Sequence, residues 1–397
     1  MNDGIGQPAE GRLHLARARS LGPALEAAAD EIEARRELPP AIVTALIDAG
    51  MFRLLLPKSL GGAELRPAEF AQVMEEIASH DASTAWCVGQ GCGCTMSAAQ
   101  LDPKVAREIF GPPDGIVAWG PPGKAKAVSV PGGYRLTGSW SFASGSHNAT
   151  WFGAHVAVFA EDDTPRLRED GSAVIRTLLF PKSSATMTDI WHVIGLRGTG
   201  SDAYSVSDLF VPEEFTIRRD MEIPPRETGP LYRFSSSNLY ASGFAGVALG
   251  IARSVLASFI ELARDKIPRG ARVTMRNNNV IQSQVAQAQA RLSSARAYVM
   301  SVLDDAWDSV VANGRLSLEE NATLRLATTW AIHQARDTVD VLYQAAGATA
   351  IFNENPFERR FRDIHTVAQQ MQARQTHFET VGRVMMGLPP DATMFTF

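Results

Sequence analysis

The chain has 397 residues, 45% of them hydrophobic and 20% charged, an ordinary globular composition with apolar residues enough for a core and length for two or three domains. A net charge of -5 gives no electrostatic basis for a nucleic-acid partner. No continuous apolar run approaches the roughly 20 residues of a membrane span, and MNDGIGQPAEGR lacks the basic-then-apolar order of a secretory leader, so a cytoplasmic protein without membrane contact is expected, its first ~12 residues disordered.

The first helical signals lie in LPPAIVTALIDAGMF, where proline opens the segment, Ile42, Leu46 and Ile47 share a face, and Gly50 closes it. The helical period continues from Ala68 to Ala78. Cys87, Cys92 and Cys94 cluster in AWCVGQGCGCTM; an odd, clustered set is no disulfide framework, and with no fourth ligand nearby no metal is expected, so these read as buried thiols. From Gly111 to about Pro225 the composition turns to Gly, Pro, Ser, Val and aromatics, with strand alternation in YRLTGSWSF, ATWFGAHVAVFA, AVIRTLLF and YSVSDLFV. Gly132-Gly133 fits a hairpin turn before Tyr134.

After RETGPLYRF the helical period returns. Ile281, Val285, Ala288, Leu292, Ala295, Val299, Val302 and Ala306 form a heptad-like stripe, SLEE at Ser317–Glu320 matches a capping box, and a last helix is expected after Arg362. The expected fold class is α+β: an N-terminal helical domain (1–112), a central β-barrel or sandwich domain (113–225), and a C-terminal four-helix-bundle domain (226–397).

That order, together with LIDAGMFRLLLPKSLGGAEL, IGLRGTGSDAYSVSDLFVPEEF, YQAAGATAIF and RRFRDIHT, resembles the acyl-CoA dehydrogenase superfamily over nearly the whole chain. The resemblance implies that RLTGSWSFASGSHNATW lies along a flavin ring: Phe142 covers it and the Ser144 hydroxyl meets the N5 edge, with alternation placing Phe142, Ser144 and Ser146 on one strand face. The dehydrogenases of that superfamily carry a glutamate base about eight residues after an Arg-Asp pair. Here the pair is Arg362-Asp363 and the matching residue is Met371, beside Gln369 and Gln370; a thioether and amides take no proton at neutral pH, and Glu379 comes two turns too late.

HDASTAW, SWSFASGSHNATW and RGTGS instead resemble the flavin-dependent monooxygenase branch of the superfamily. That branch implies reduced FMN or FAD from a separate flavin reductase, O2 bound at flavin C4a as a hydroperoxide, and a small-molecule substrate. The histidines with which aromatic hydroxylases of the branch deprotonate a phenol are absent: CVGQGCGCTMSAAQ has none, and Gln370 stands at the second position. That leaves an amine, a sulfur heterocycle, an indole or a ketone as substrate. The other readings are a dehydrogenase-like flavoenzyme with a displaced base and a non-catalytic flavin-binding oligomer.

Further residues follow from the same comparison. His147 and His365 are candidate catalytic groups on the substrate side; His365 faces a pocket or pairs with Asp363, and His80 caps a helix turn or serves function. Trp119 falls where a strand loop passes the flavin, and Arg197 and Thr199 in the RGTGS loop (with Ser201) offer a guanidinium and hydroxyls. Arg269 would meet the flavin pyrophosphate, and Gln344 and Gly347 would meet the flavin tail from a neighbouring subunit, which implies a homotetramer. His14, His155, His192, His333 and His377 show no constellation.

Overall fold

The computed structural model describes residues 9–218 and 225–391. Five helices come first: α1 (Ala9–Arg35), α2 (Pro40–Asp48), α3 (Pro67–His80), α4 (Ala82–Thr95) and α5 (Pro103–Phe110). Disorder was expected through residue 12, yet residues 9–12 already belong to α1; residues 1–8 lie outside the described part. Pro40 opens α2 and Gly50, at φ 73°, follows its end. Asp81 accepts the Thr84 backbone N–H at 2.6 Å and starts α4, whose residues are all buried except Gln90. Such burial explains the small and apolar residues of that helix.

The middle of the chain forms β1 (Val117–Gly120), β2 (Pro122–Val130), β3 (Gly133–Ala143), β4 (Trp151–Phe159), β5 (Ile175–Pro181), β6 (Thr186–Thr188), β7 (Asp202–Pro212) and β8 (Thr216–Arg218). The sheet runs β6-β7-β3-β2-β4-β5-β8, with β1 paired to β4. β2 and β3 form the hairpin around Gly132, at φ 80°. Trp140, Phe152 and Tyr204 stack inside it, and Trp140 donates to the His155 carbonyl at 3.0 Å.

Five more helices follow: α6 (Ser236–Asp265), α7 (Asn279–Asn313), α8 (Leu318–Ala346), α9 (Pro356–Gln369) and α10 (Thr376–Met385). α6 crosses α3 with almost no gap, since a Cβ on Gly246 would lie 2.3 Å from the Ala71 carbonyl oxygen. On α7 the heptad-like stripe is buried from Ala288 to Ala306, while Ile281 and Val285 are half-buried. Ser317 and Glu320 close the capping box of α8.

Two expectations change here. The helix expected after Arg362 begins earlier, at Pro356, so Arg362 sits in its middle, and α10 comes after it. α6 is by length and composition long and apolar enough to cross a membrane; 78% of its apolar window is buried against the other helices, which accounts for that composition.

Candidate active site

The β3 strand ends one residue before Ser144. Phe142 adopts a left-handed conformation (φ 56°), which breaks the alternation expected for Phe142, Ser144 and Ser146. Phe142 turns outward, 59% exposed and edge-on to Trp191 at 5.9 Å, while Ser144 and Ser146 are buried in the turn that follows. Leu196 is also left-handed, at φ 51°. Two non-glycine residues held in that region on facing segments mark the place as one where the fold sustains strain.

Ser144 belongs to a chain of hydroxyls. Trp86 Nε1 donates to Ser144 Oγ at 3.0 Å; Ser144 Oγ and Ser201 Oγ are 2.7 Å apart; Ser201 Oγ and Thr199 Oγ1 are 2.6 Å apart; Thr199 Oγ1 donates to the Leu196 carbonyl at 2.8 Å. The proton count fixes the direction. Thr199 gives its hydrogen to Leu196, so Ser201 donates to Thr199, and Ser144 donates to Ser201. Ser144 Oγ is then left with one lone pair and no proton for a ligand. Gly145 N–H also donates to the Thr199 carbonyl at 2.8 Å, and Ser146 Oγ to the Gly200 carbonyl at 2.8 Å, which fastens this turn to the RGTG loop.

The loop is fastened in turn to α9. A Cβ on Gly195 would lie 2.2 Å from the Arg362 carbonyl oxygen, and Leu196 N–H donates to Asp363 Oδ1 at 2.6 Å. Burial raises the Asp363 carboxyl to about 7 against that hydrogen bond. Arg362 pairs with Glu33 and Glu358.

On the other side of Trp86 lies an aromatic wall. The Trp86 and Phe244 rings stack at 3.8 Å, Phe244 and Tyr240 at 5.8 Å, and Gln90 Nε2 donates to the Tyr240 hydroxyl at 3.4 Å. A single turn at Met371–Ala373 stands where the dehydrogenase base would be, with Met371 46% exposed. It is held by α8: Arg325 donates to Gln372 Oε1, Thr329 Oγ1 to the Gln372 carbonyl at 3.1 Å, and His333 Nε2 to the Ala373 carbonyl at 2.8 Å. These three recur every fourth residue, one stripe of a helix. His377 Nε2 donates to the Met371 carbonyl at 2.8 Å.

The remaining sequence candidates have other partners. His147 lies between Asp202, at 2.7 Å, and Glu37, at 2.8 Å, joining the β3 turn to the segment after α1. His365 bonds Asp340 at 2.8 Å and packs on Phe361; it pairs with Asp340, not with Asp363. His80 ends α3 and pairs with Glu26 and Glu76, while Asp81 does the capping. Trp119 is buried in the core, edge-on to His155 and close over Gly153. Arg197 pairs with Glu33 at 3.5 Å. Arg269, Gln344 and Gly347 are exposed, and none hydrogen-bonds to the Ser144 chain. The three cysteines are buried and form no disulfide, burial pushing the Cys92 thiol up to about 12, and no metal-holding group of His, Cys, Asp or Glu occurs among the described residues.

Trp86, Phe244, Tyr240 and Arg325 were not among the sequence candidates. Trp86 had a signal, its place in HDASTAW; the others are apolar or charged helix residues with none.

Helices, a β domain and a helical bundle in this order, with a strained aromatic-hydroxyl turn between them, define the acyl-CoA dehydrogenase fold. The family models for the acyl-CoA dehydrogenase N-terminal domain and C-terminal domain match residues 19–101 and 242–375. The indole-3-acetate monooxygenase of Pseudomonas putida is 31% identical over 393 residues, 96% of this chain and 97% of that protein. The oxygenase subunit HsaA of a flavin-dependent monooxygenase from Mycobacterium tuberculosis is 28% identical over 96% of this chain and 97% of its own. Among solved structures, HsaA superposes with a TM-score of 0.87 at 26% identity, covering 97% of this chain and 99% of that one. XiaF from Streptomyces, in complex with FADH2 and glycerol, superposes with 0.88 at 26% identity, covering 96% and 97%. The chain belongs to the flavin-dependent monooxygenases of the acyl-CoA dehydrogenase superfamily, and it is an oxidoreductase that works with reduced flavin.

Proposed function

We propose that this chain is the oxygenase component of a two-component system: a separate reductase supplies reduced FMN or FAD, and one atom of O2 enters a small aromatic substrate that needs no deprotonation. The names of its relatives, which include oxygenase components and subunits, support the division of labour. When bound, reduced flavin supplies the two electrons with which the second oxygen atom leaves as water.

The observation that carries this reading is the directed hydroxyl chain. Reduced flavin presents an N–H at N5 and oxidised flavin a lone pair. Ser144 Oγ, with a lone pair and no proton to give, is complementary to the first. The exposed Phe142 ring offers a flat ligand a face. Trp86 and Phe244 exclude water behind the serine. No ionisable base stands at Gln370 or Met371, which favours a ring such as an indole over a phenol.

The site is completed by a second copy of the chain, in a homotetramer. Ile351 and Phe352, exposed by 62% and 54% shortly after Gln344 and Gly347, support that arrangement. His147 and His365 act as positioning residues through their carboxylate partners. Three buried cysteines without a disulfide support a reducing compartment, the cytoplasm.

Anaerobic titration tests the proposal: reduced flavin should bind more tightly than the same flavin oxidised, and light scattering should give the mass of four chains. Tightly held FAD bleached by an acyl thioester would instead return the protein to the dehydrogenases.

A further inference from the structure

Arg325 is 1% exposed in the middle of α8. Arg362 is matched with Glu33 and Glu358 and Arg253 with Glu75 and Glu76, while the less deeply buried Arg53 donates to the Phe110 and Pro112 carbonyls and Arg360 to Ser258 Oγ. Arg325 has only neutral partners, Gln372 Oε1 and, at 2.8 Å, Ser237 Oγ; no carboxylate lies within 4.0 Å among the described residues. Those bonds use two of the five N–H groups of a guanidinium. Burial lowers its pKa to about 10, which leaves it charged at neutral pH. A buried charge without a counter-ion is costly, and an anion that reached it would offset that cost.

The surroundings say what arrives. Ser237, Tyr240 and Phe244 are three and four residues apart on α6 and share a face. Phe244 stacks on Trp86, and Trp86 donates to Ser144. Guanidinium, phenol ring, phenyl ring, indole and catalytic-side hydroxyl thus follow one another along a helix rise of about 10 Å. Ser237, Tyr240 and Gln90 are half-buried, the least covered part of this wall. A bicyclic ring bearing a short acid side chain fills that span, with a hydrogen-bond length at the guanidinium.

We propose that Arg325 is the substrate anchor of this oxygenase: it receives the carboxylate of an aromatic acid whose ring lies along Tyr240, Phe244 and Trp86. The inference rests on the reading that Ser144 marks the flavin edge. Gln372 and Ser237 hold the carboxylate's place in the free protein. A carboxylate replaces them because hydrogen bonds between ionised partners are about twice as strong as neutral ones, and a guanidinium takes both oxygens at once. The Gln372 side chain belongs to the turn that carries Met371, so the arriving acid also settles that turn against the ring.

The test compares indole-3-acetate with indole-3-acetamide by calorimetry, on wild type, Arg325→Gln and Arg325→Lys, each loaded with reduced flavin under nitrogen. Wild type should bind the acid at least about tenfold more tightly than the amide. Arg325→Gln should lose that preference while binding the amide as before, and Arg325→Lys should keep part of it. Equal affinity of wild type for acid and amide, binding of neither, or an undiminished preference in Arg325→Gln would overturn the proposal. If Arg325→Gln does not fold, the wild-type and Arg325→Lys comparisons still decide. Reduced-flavin affinity, measured before the acid is added, separates failure of this inference from failure of the flavin reading.

Discussion

Replacing Ser144 with alanine removes the bonds on both sides of one link in the directed hydroxyl chain. The serine is 7% exposed, so no bulk water takes over its bonds. Trp86 Nε1 loses its acceptor and becomes a buried orphan donor, a loss of about 1–3 kcal/mol in stability. Ser201 still donates to Thr199 and loses only an incoming bond. The bound reduced flavin loses one acceptor, about 1 kcal/mol, or roughly fivefold in affinity. Oxidised flavin, which makes no bond to that lone pair, should bind Ser144→Ala as it binds wild type. Urea denaturation reads the first effect, and parallel anaerobic and aerobic flavin titrations read the second. Equal weakening of both redox states, or none of either, would refute the proton count from which the argument starts.

Asp363→Asn tests the buried carboxyl on α9. Its folded pKa, about 7, lies above the ordinary aspartate value of 3.8, so the folded state binds the extra proton between those values and stability falls as pH rises through that window, by on the order of 4 kcal/mol. Asn still accepts from Leu196 N–H; the variant should show a flatter urea midpoint between pH 4 and 7 and greater stability than wild type at pH 8, whereas an unchanged slope would dismiss Asp363 as its source. Gly195→Ala places a methyl group 2.2 Å from the Arg362 carbonyl and should force the loop off α9, lowering stability by about 1–3 kcal/mol and weakening reduced flavin; a variant with wild-type melting would contradict that contact. His147→Ala removes a partly exposed imidazole between two carboxylates and should cost no more than about 1 kcal/mol, with flavin affinity retained. The buried thiols should resist iodoacetamide at pH 8 in folded protein and react after unfolding, as mass spectrometry would show; rapid labelling of the native state would rule out their burial.

Local periodicity carried much of the architecture. YRLTGSWSF became β3 because every second residue packs inward, and SLEE became the start of α8 because both members of a capping box lie within one turn. Ser144 was legible through its motif. What escaped the sequence was pairing at a distance. Glu37 and His147 meet across more than a hundred residues, and so do Trp86 and Phe244. Arg325 reads on a helix as one more solvated charge until α6 and the Met371 turn close over it. The outward turn of Phe142 depends on a backbone conformation that strand alternation excludes. The Arg-Asp pair lies inside α9 rather than at its start, where Pro356 supplies the helix-opening signal.

The most direct measurement follows the oxygen atoms. The protein, a flavin reductase, reduced nicotinamide and indole-3-acetate would be incubated under isotopically heavy O2 and the product weighed. Monooxygenase chemistry predicts a product heavier by one labelled oxygen atom, with little hydrogen peroxide while substrate lasts. Unlabelled indole-3-acetate recovered intact, with all consumed oxygen appearing as peroxide, would contradict it.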